Sequence, residues 1–534
     1  MEIPKDSHLK NNGMDLEKTC SHGTYGLTDE ERLAQIGHPQ ELRRTFSLPA
    51  LGALCLCLMA TWEALSAVIA AALVSGGAPC LFYNYVLSFL SSVCIASSLG
   101  EIASIYPTAG GQYHWVAALC PPSTRSVAAW VTGWVSIGGQ IVFTASAAFA
   151  AGLQIQSLII VNDDNYVPTR WQALLFYWAI LAFAGALNIW GTKLIPQVNL
   201  VSGIIHIAAF VGIIVTLGVL ASKNTSSFVF TEVVNTSGWD SDAVSWLVGL
   251  QSAVYPFLGY DAACHLSEEL PHASLNVPRA MIGSVVLNGL MGFAYCIVLL
   301  YSAGSLESLL GTPTGFPYMQ IYLDATHSRA GTTVMALTLV IIAITATIAG
   351  VTSTSRTLWA FARDKATPFG SYLSFVNAAT QIPINAVVLV MALQALLGLI
   401  YLGNSTAFNA ILSIAIIGLY LSYGLPIVYM LVYGRFKKLT NPDFGPFRLH
   451  PLLGILANVI SIVWITVAVI FSTFPTKIPA TPENMNYSTV VLAGWMAFGM
   501  TYYFWAGRHK FQVPITETST LLGLPVSVSV DEEK

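Results

Sequence analysis

Twelve apolar runs, each near the length of a membrane-crossing helix, constrain this chain more than any other feature. A helix rises 1.5 Å per residue, so a hydrocarbon layer of roughly 30 Å takes about 20 residues. Runs of that order fall at 48–75, 79–104, 125–155, 171–191, 197–221, 244–264, 279–303, 331–358, 383–402, 406–433, 453–474 and 486–506. Fusing or splitting neighbours gives ten or eleven. Only 9 % of the residues are charged, against roughly a quarter in a soluble domain. The expected fold is an all-α polytopic membrane protein with twelve spans. The net charge of −4 carries no nucleic-acid signal, and the polar start of the chain leaves the first span as the targeting signal.

Basic residues set the orientation. With the N-terminus inside, only Arg170, Lys223, Arg329 and Lys477 of 23 fall outside; setting aside the distal Lys5, Lys10, Lys18, Arg32 and Lys534, 14 lie inside. Both termini are therefore expected in the cytoplasm. Four N-x-S/T sequons, at Asn224, Asn235, Asn404 and Asn486, then map to outer loops as candidate glycosylation sites, with Asn404 in a loop too short for easy modification. Residues 1–45 and 508–534 read as cytoplasmic tails, with 46–433 as the core and 434–507 holding two appended spans. The ends of both tails are polar and low in apolar periodicity, and Lys5, Lys10 and Lys18 are candidate ubiquitin acceptors. The eight cysteines form no disulfide framework, most of them falling in spans; Cys80 is placed on the outer side without a partner.

Two spans are interrupted by chemistry that a lipid-facing helix avoids. In the sixth, Pro256, Gly259 and Asp261 fall within six residues. Proline removes a backbone donor, glycine relaxes the chain, and an acid at mid-membrane marks a solute or ion pathway. In the first, Thr61-Trp62-Glu63 stands between two apolar half-helices. The two lie five spans apart and run in opposite directions, as in an inverted repeat whose broken helices meet at the midplane. The repeats would be 46–222 and 243–433.

Glu101-Ile102-Ala103-Ser104-Ile105-Tyr106-Pro107 followed by Gly110-Gly111 resembles the E-x-x-S-x-x-P-x-x-G-G signature of the amino acid–polyamine–organocation transporters. Gly259-Tyr260-Asp261 resembles that superfamily's sixth-span break. Ser267-Glu268-Glu269 with Val277-Pro278-Arg279, and Arg356 with Phe361-Ala362-Arg363-Asp364 and Pro368, resemble its later cytoplasmic motifs. Thr61-Trp62-Glu63, Asp261, His265 and Glu268-Glu269 are most similar to the fungal amino acid/choline/GABA permease branch. The resemblance implies a leucine-transporter-type fold, with a 5+5 inverted repeat and discontinuous helices 1 and 6, and proton-coupled uptake. It leaves the substrate open among choline, GABA, other amino acids and thiamine. The first break lacks the Gly-x-Gly of bacterial relatives.

On this basis the candidate substrate site comprises Trp62, Glu63, Trp134, Phe257, Gly259, Tyr260 and Asp261, with the backbone N–H groups of Ala64, Leu65 and Ser66. A helix restarting near Glu63–Ser66 would offer its positive end to a carboxylate. Carbonyls near Phe257 and Leu258 would suit an ammonium group, and aromatic faces a cation. Packing alone also accounts for the aromatics. Glu63 is read either as a substrate or proton ligand or as a cap of the second half-helix, and His206, near the midplane of the fifth span, as a proton relay or a packing histidine. Glu101, Glu268, Glu269, Arg279, Arg356, Arg363 and Asp364 form a candidate cytoplasmic gate. No cofactor, metal or nucleic-acid partner is expected: a zinc-protease motif, nucleophile elbow, P-loop, Cys/His cluster and filter loop are all missing from the sequence. A small amine or amino acid, protons and the bilayer are the expected partners; export or facilitated passage of an amine-containing secondary metabolite is the alternative.

Overall fold

The structure, a computed structural model, describes residues 41–513 apart from 43, 45, 378–379, 404–406, 439–443 and 483. Asn404, Lys5, Lys10, Lys18 and the chain beyond 513 lie outside the described residues. All regular structure among the described residues is helical. In a medium without water each backbone N–H and C=O must be satisfied within the segment, and helices do this.

In chain order the principal helices are α1 (Leu48–Met59), α2 (Thr61–Ile105), α3 (Gln112–Leu119), α4 (Arg125–Asn162), α5 (Arg170–Trp190) and α6 (Ile195–Leu220). There follow α7 (Asp242–Val248), α8 (Gln251–Val254), α9 (Ala262–His265), α10 (Ala273–Tyr301) and α11 (Pro317–Thr326). The last are α12 (Arg329–Arg363), α13 (Ile384–Gly398), α14 (Ala407–Tyr429), α15 (Pro451–Phe471) and α16 (Ser488–Tyr502). Among the described residues, nine helical stretches are long and apolar enough to cross a membrane.

Three stretches account for the difference from twelve. Leu48–Ile105 counts once, although its 58 residues would extend roughly 87 Å as one helix, far more than a bilayer. It leaves helical geometry at Ala60 and again at Gly77, whose φ of 70° and ψ of −158° precede Pro79. The chain folds back there, because Thr61 and Tyr85 both fill the space that Gly292 of α10 leaves by lacking a side chain. The run 244–264 is helical only in pieces, interrupted at Gly249-Leu250 and at Leu258–Tyr260. The last run gives 15 α-helical residues before a π-helical turn at Tyr503–Gly507.

Burial separates a core from a periphery. In the most apolar window of each stretch, 83 % of Phe408–Phe436 is buried but only 22 % of Thr192–Leu220. Ile204, Val211, Val215 and Val219 of α6 are exposed, as apolar side chains facing lipid are. The core crossing that matters most for the site joins α4 to α14. A Cβ on Gly139 would come within 2.8 Å of the Gly418 backbone, so the two backbones touch there. That contact brings Gln140 of α4 and Tyr423 of α14 to the sixth-span break.

Candidate substrate and proton site

The first break is a single residue. Ala60 adopts a left-handed conformation, φ 42° and ψ 49°, between α1 and α2. For a residue with a Cβ this costs about 1–2 kcal/mol, so something must hold it. Asn288 of α10 does: its Nδ2 donates to the Leu56 carbonyl at 3.0 Å, and its Oδ1 accepts from the Thr61 N–H at 3.4 Å. The Thr61 hydroxyl donates to the Pro256 carbonyl at 2.8 Å, tying the first break to the second. The restart therefore stands at Thr61, ahead of the expected Glu63–Ser66. The Ala64 N–H already donates to Ala60 O at 2.7 Å, and Leu65 and Ser66 lie inside the helix. The N–H groups of Trp62 and Glu63 are the ones at the open end.

At the second break the chain passes from a 3-10 turn at Tyr255–Phe257 through extended Leu258 to Gly259, φ +97°. Only glycine fits: a Cβ would meet the Phe143 ring at 2.7 Å and Leu58 at 3.3 Å. Asp261 is buried and doubly held. Its Oδ1 accepts from the Tyr423 hydroxyl at 2.6 Å and its Oδ2 from Gln112 Nε2 at 2.8 Å. His265, one turn on, lies 3.4 Å from Oδ2. Tyr260 packs against Tyr423 at 5.3 Å, its hydroxyl without a hydrogen-bond partner among the described residues. Phe257 turns the other way, onto Tyr85 and Phe89 of α2.

Glu63 belongs to a separate network. Its Oε1 lies 2.6 Å from His206 Nδ1, both side chains being buried. Among the described residues, Glu63 Oε2, His206 Nε2 and Trp62 Nε1 have no hydrogen-bond partner. The Trp62 ring packs against His206 at 5.8 Å and Tyr295 at 5.2 Å. The Tyr295 hydroxyl is 2.7 Å from the Ser66 hydroxyl and 2.8 Å from that of Tyr322 in α11. Of those three atoms, Glu63 Oε2 and the Nε2 of a neutral His206 can accept from a cationic group or take a proton, whereas Trp62 Nε1 only donates.

Trp134 stands apart from both breaks. It packs against Trp495 and Phe498 at 5.1 and 5.6 Å. Nine residues along α4, Phe143 occupies the opposite face and meets the second break. Placing Trp134 at the site therefore fails for a helical-face reason that its sequence neighbours do not reveal.

The expected gate residues divide. Arg356 Nε donates to Glu269 at 2.8 Å, and both side chains are nearly inaccessible, at 1 and 5 %. Arg363 reaches both oxygens of Glu268 at 3.1 Å and lies over the Trp359 ring. Glu268 also accepts from the Ala109 N–H at 3.3 Å. Tyr113 donates to Asp364 at 2.8 Å, and burial pushes the Asp364 carboxyl up to about 7 despite the neighbouring Arg363 guanidinium. Glu101 is elsewhere: it accepts from Arg435 and from the Leu449 N–H, joining the end of α2 to the segments after α14 and before α15. Arg279 is exposed and forms no ion pair among the described residues. These two residues thus fall outside the cluster.

At the opposite end a cavity of about 450 Å³ opens between α2, α4, α14 and the chain around Thr314. Ala67, Ala70, Ala71 and Val74 line it, and Glu63 lies on the same face of α2 one turn below Ala67. The three described sequon asparagines are all engaged. Asn224 Nδ2 donates to the Leu300 and Ala303 carbonyls, Asn235 Nδ2 to Trp239 O and Asp242, and Asn486 Nδ2 to Ser472 O and Phe474 O. A glycan on any of these nitrogens would displace such bonds. Cys80 is buried against the Trp246 carbonyl.

Sequence reasoning missed the neutral partners: Gln112, Gln140, Asn288, Tyr295 and Tyr423. A signal existed for the amides, since Gln140 and Asn288 interrupt apolar runs and Gln112 directly follows Gly110-Gly111. Polar side chains in such runs bond across helices.

Residues 46–497 match the family model described as amino acid permease. A choline transporter of Saccharomyces cerevisiae is 31 % identical over 474 residues, covering 88 % of this chain and 83 % of the relative. Amino-acid permease BAT1 of Arabidopsis thaliana is 30 % identical over 501 residues, covering 91 % and 96 %. Amino-acid permease 2 of Neurospora crassa is 25 % identical over 504 residues, covering 94 % and 92 %. With a family match across most of its length and relatives named as carriers rather than enzymes, the chain belongs to the amino acid permease family of the amino acid–polyamine–organocation transporters.

Proposed function

We propose that this permease is a secondary active, proton-coupled carrier that takes up an amino acid or a related amine such as GABA or choline by alternating access. The observation that carries the reading is the asymmetry of closure. A cavity leads along the Glu63 face of α2 at one end, while buried Arg356–Glu269 and Arg363–Glu268 pairs seal the other. The positive-inside count assigns the sealed end to the cytoplasm, with both termini inside; the expected host is the plasma membrane, with the vacuolar membrane as the alternative. The proposed architecture has twelve spans, with 5+5 inverted repeats whose first members break at Ala60 and Leu258–Gly259.

In this reading the substrate ammonium pairs with the free Glu63 oxygen beside Trp62, and a substrate carboxylate faces the open helix end at Trp62 and Glu63. Glu63 and His206 exchange the coupled proton. Asp261, saturated by Gln112 and Tyr423, holds the sixth-span break to the inner end and is released when the carrier turns inward.

Competition for uptake by proteoliposomes, using a panel of amino acids, GABA, choline and polyamines, identifies the substrate. Uptake of the best competitor should rise with an inward proton gradient, and no response to that gradient excludes symport. His206→Ala should flatten the pH profile more than it weakens substrate affinity; an unchanged profile assigns His206 to packing.

A further inference from the structure

A second buried histidine has a hydrogen-bond set that closes in two ways. His265 Nδ1 is 3.0 Å from the Ala109 carbonyl oxygen, and Nε2 is 2.7 Å from Gln140 Nε2. A carbonyl only accepts, so Nδ1 carries the hydrogen. With the amide nitrogen, which only donates, facing the ring, Nε2 is the acceptor and this bond set belongs to a neutral ring. Gln140 Oε1 accepts from the Thr357 hydroxyl at 2.8 Å, and that hydroxyl also lies 3.1 Å from the Ser353 carbonyl.

Turning the Gln140 amide by half a revolution produces another complete set. Oε1 then faces His265 Nε2, and the amide nitrogen donates to the Thr357 oxygen while the Thr357 hydroxyl donates to Ser353. The Ser136 hydroxyl, 3.3 Å from the present amide nitrogen, rotates to donate to Oε1. No bond is lost, but Nε2 must now carry a proton, making the ring an imidazolium with Asp261 Oδ2 beside it at 3.4 Å. The two sets differ by one proton and one amide turn.

We infer that His265, Gln140 and Thr357 form a proton-binding site, switched by the Gln140 amide and countered by Asp261, distinct from the Glu63–His206 pair. Its consequence for coupling rests on the carrier reading above; the proton equilibrium itself does not. Gln112 and His265 both lie against Asp261 Oδ2, so a positive ring draws on the same carboxylate that holds Gln112 and, through it, the loop at Gly110-Gly111. Ala109, which holds the ring, also donates to the gate residue Glu268.

The other titratable groups around the ring are engaged. Tyr423 of α14 donates to Asp261, and Arg356 and Arg363 of α12 are paired with Glu269 and Glu268. Tyr113 of α3 donates to Asp364, Cys55 of α1 lies against the Tyr260 carbonyl, and Cys264 is the ring's own neighbour. Asp261 is the ring's one acidic partner among the described residues.

Solid-state NMR of the full-length protein in bilayers, labelled with ¹⁵N-histidine, reads the site without a substrate. His265 is assigned by the signal lost in His265→Asn. The wild-type ring should be neutral with Nε2 accepting at alkaline pH and become doubly protonated on acidification. Gln140→Glu, whose carboxylate can only accept, should raise the midpoint by about one pH unit, tenfold in proton affinity. Gln140→Leu, which cannot accept, should lower it. Equal midpoints in wild type and either folded variant overturn the inference, as does a wild-type ring still neutral at about pH 5. Failure of the uptake experiments would leave these signals unaffected, so the two proposals fail separately.

Discussion

Asp261 is the residue whose bonding is most sharply defined. Both carboxylate oxygens accept from buried donors, Tyr423 and Gln112, so an amide at this position keeps only one accepting oxygen and leaves a buried donor, such as the Tyr423 hydroxyl proton, without its acceptor. Leaving such a buried group unsatisfied costs about 1–3 kcal/mol, and each 1.4 kcal/mol is tenfold. Asp261→Asn is therefore expected to reduce uptake by about tenfold or more while the protein still reaches the membrane. Near-normal uptake would remove Asp261 from the transport cycle. The acid itself was legible in the sequence because a carboxylate in an apolar run is conspicuous. Its partners were not: Gln112 and Tyr423 lie 149 and 162 residues away, and hydroxyls and amides are common in spans.

At the scale of elements, the first break depends on a clamp from another helix. Asn288 bonds the carbonyl before Ala60 and the N–H after it, compensating a backbone conformation that alanine does not favour. Asn288→Ala should destabilise the break by about 1–3 kcal/mol, chiefly by leaving the Thr61 N–H unsatisfied, since the Leu56 carbonyl also accepts from the Ala60 N–H at 2.9 Å. The measurement is uptake alongside hydrogen exchange over residues 56–64, where protection should fall. Unchanged exchange would mean that the break holds itself. Sequence reading placed a discontinuity in this span but set the restart too late, because Glu63 drew attention to itself while Ala60 carries no mark. The second break was legible to the residue, because Gly259 is both the conformational requirement and the visible signal.

For the whole molecule, the sealed end is expected to set the resting conformation. Glu269→Gln strands Arg356 in a buried site, and losing one partner of such a pair costs about 3–5 kcal/mol. The native Cys264, which is buried, should then label faster with an impermeant maleimide applied from the side of these pairs, with Cys264→Ser as control. No increase in labelling would show that the pair does not hold the gate. Asp364 adds a pH dependence. Its carboxyl is raised from 3.8 to about 7, chiefly by burial, so the folded protein binds this proton more tightly than the unfolded chain. That stabilisation is full below the ordinary aspartate value and is lost as pH rises through about 7. Asp364→Asn should flatten the decline in thermal midpoint over that window, and a parallel decline in both proteins would assign the pH dependence to other groups.

The sequence by itself determined that this chain is helical, embedded in a membrane and broken in two spans, because length, charge depletion and proline, glycine or acid within an apolar run are local properties. Of the acids and arginines it placed at the cytoplasmic helix ends, Glu268, Glu269, Arg356 and Arg363 are paired in the structure, as buried charges must be. Only the tertiary structure decided which charges meet. Helical phase turned Trp134 toward α16, the chain beyond α14 brought Arg435 to Glu101, and contact between Gly139 and Gly418 delivered Gln140 and Tyr423 to the sixth-span break. Hydrogen bonds join donors to acceptors through space, and no local pattern records which distant amide will complete the set.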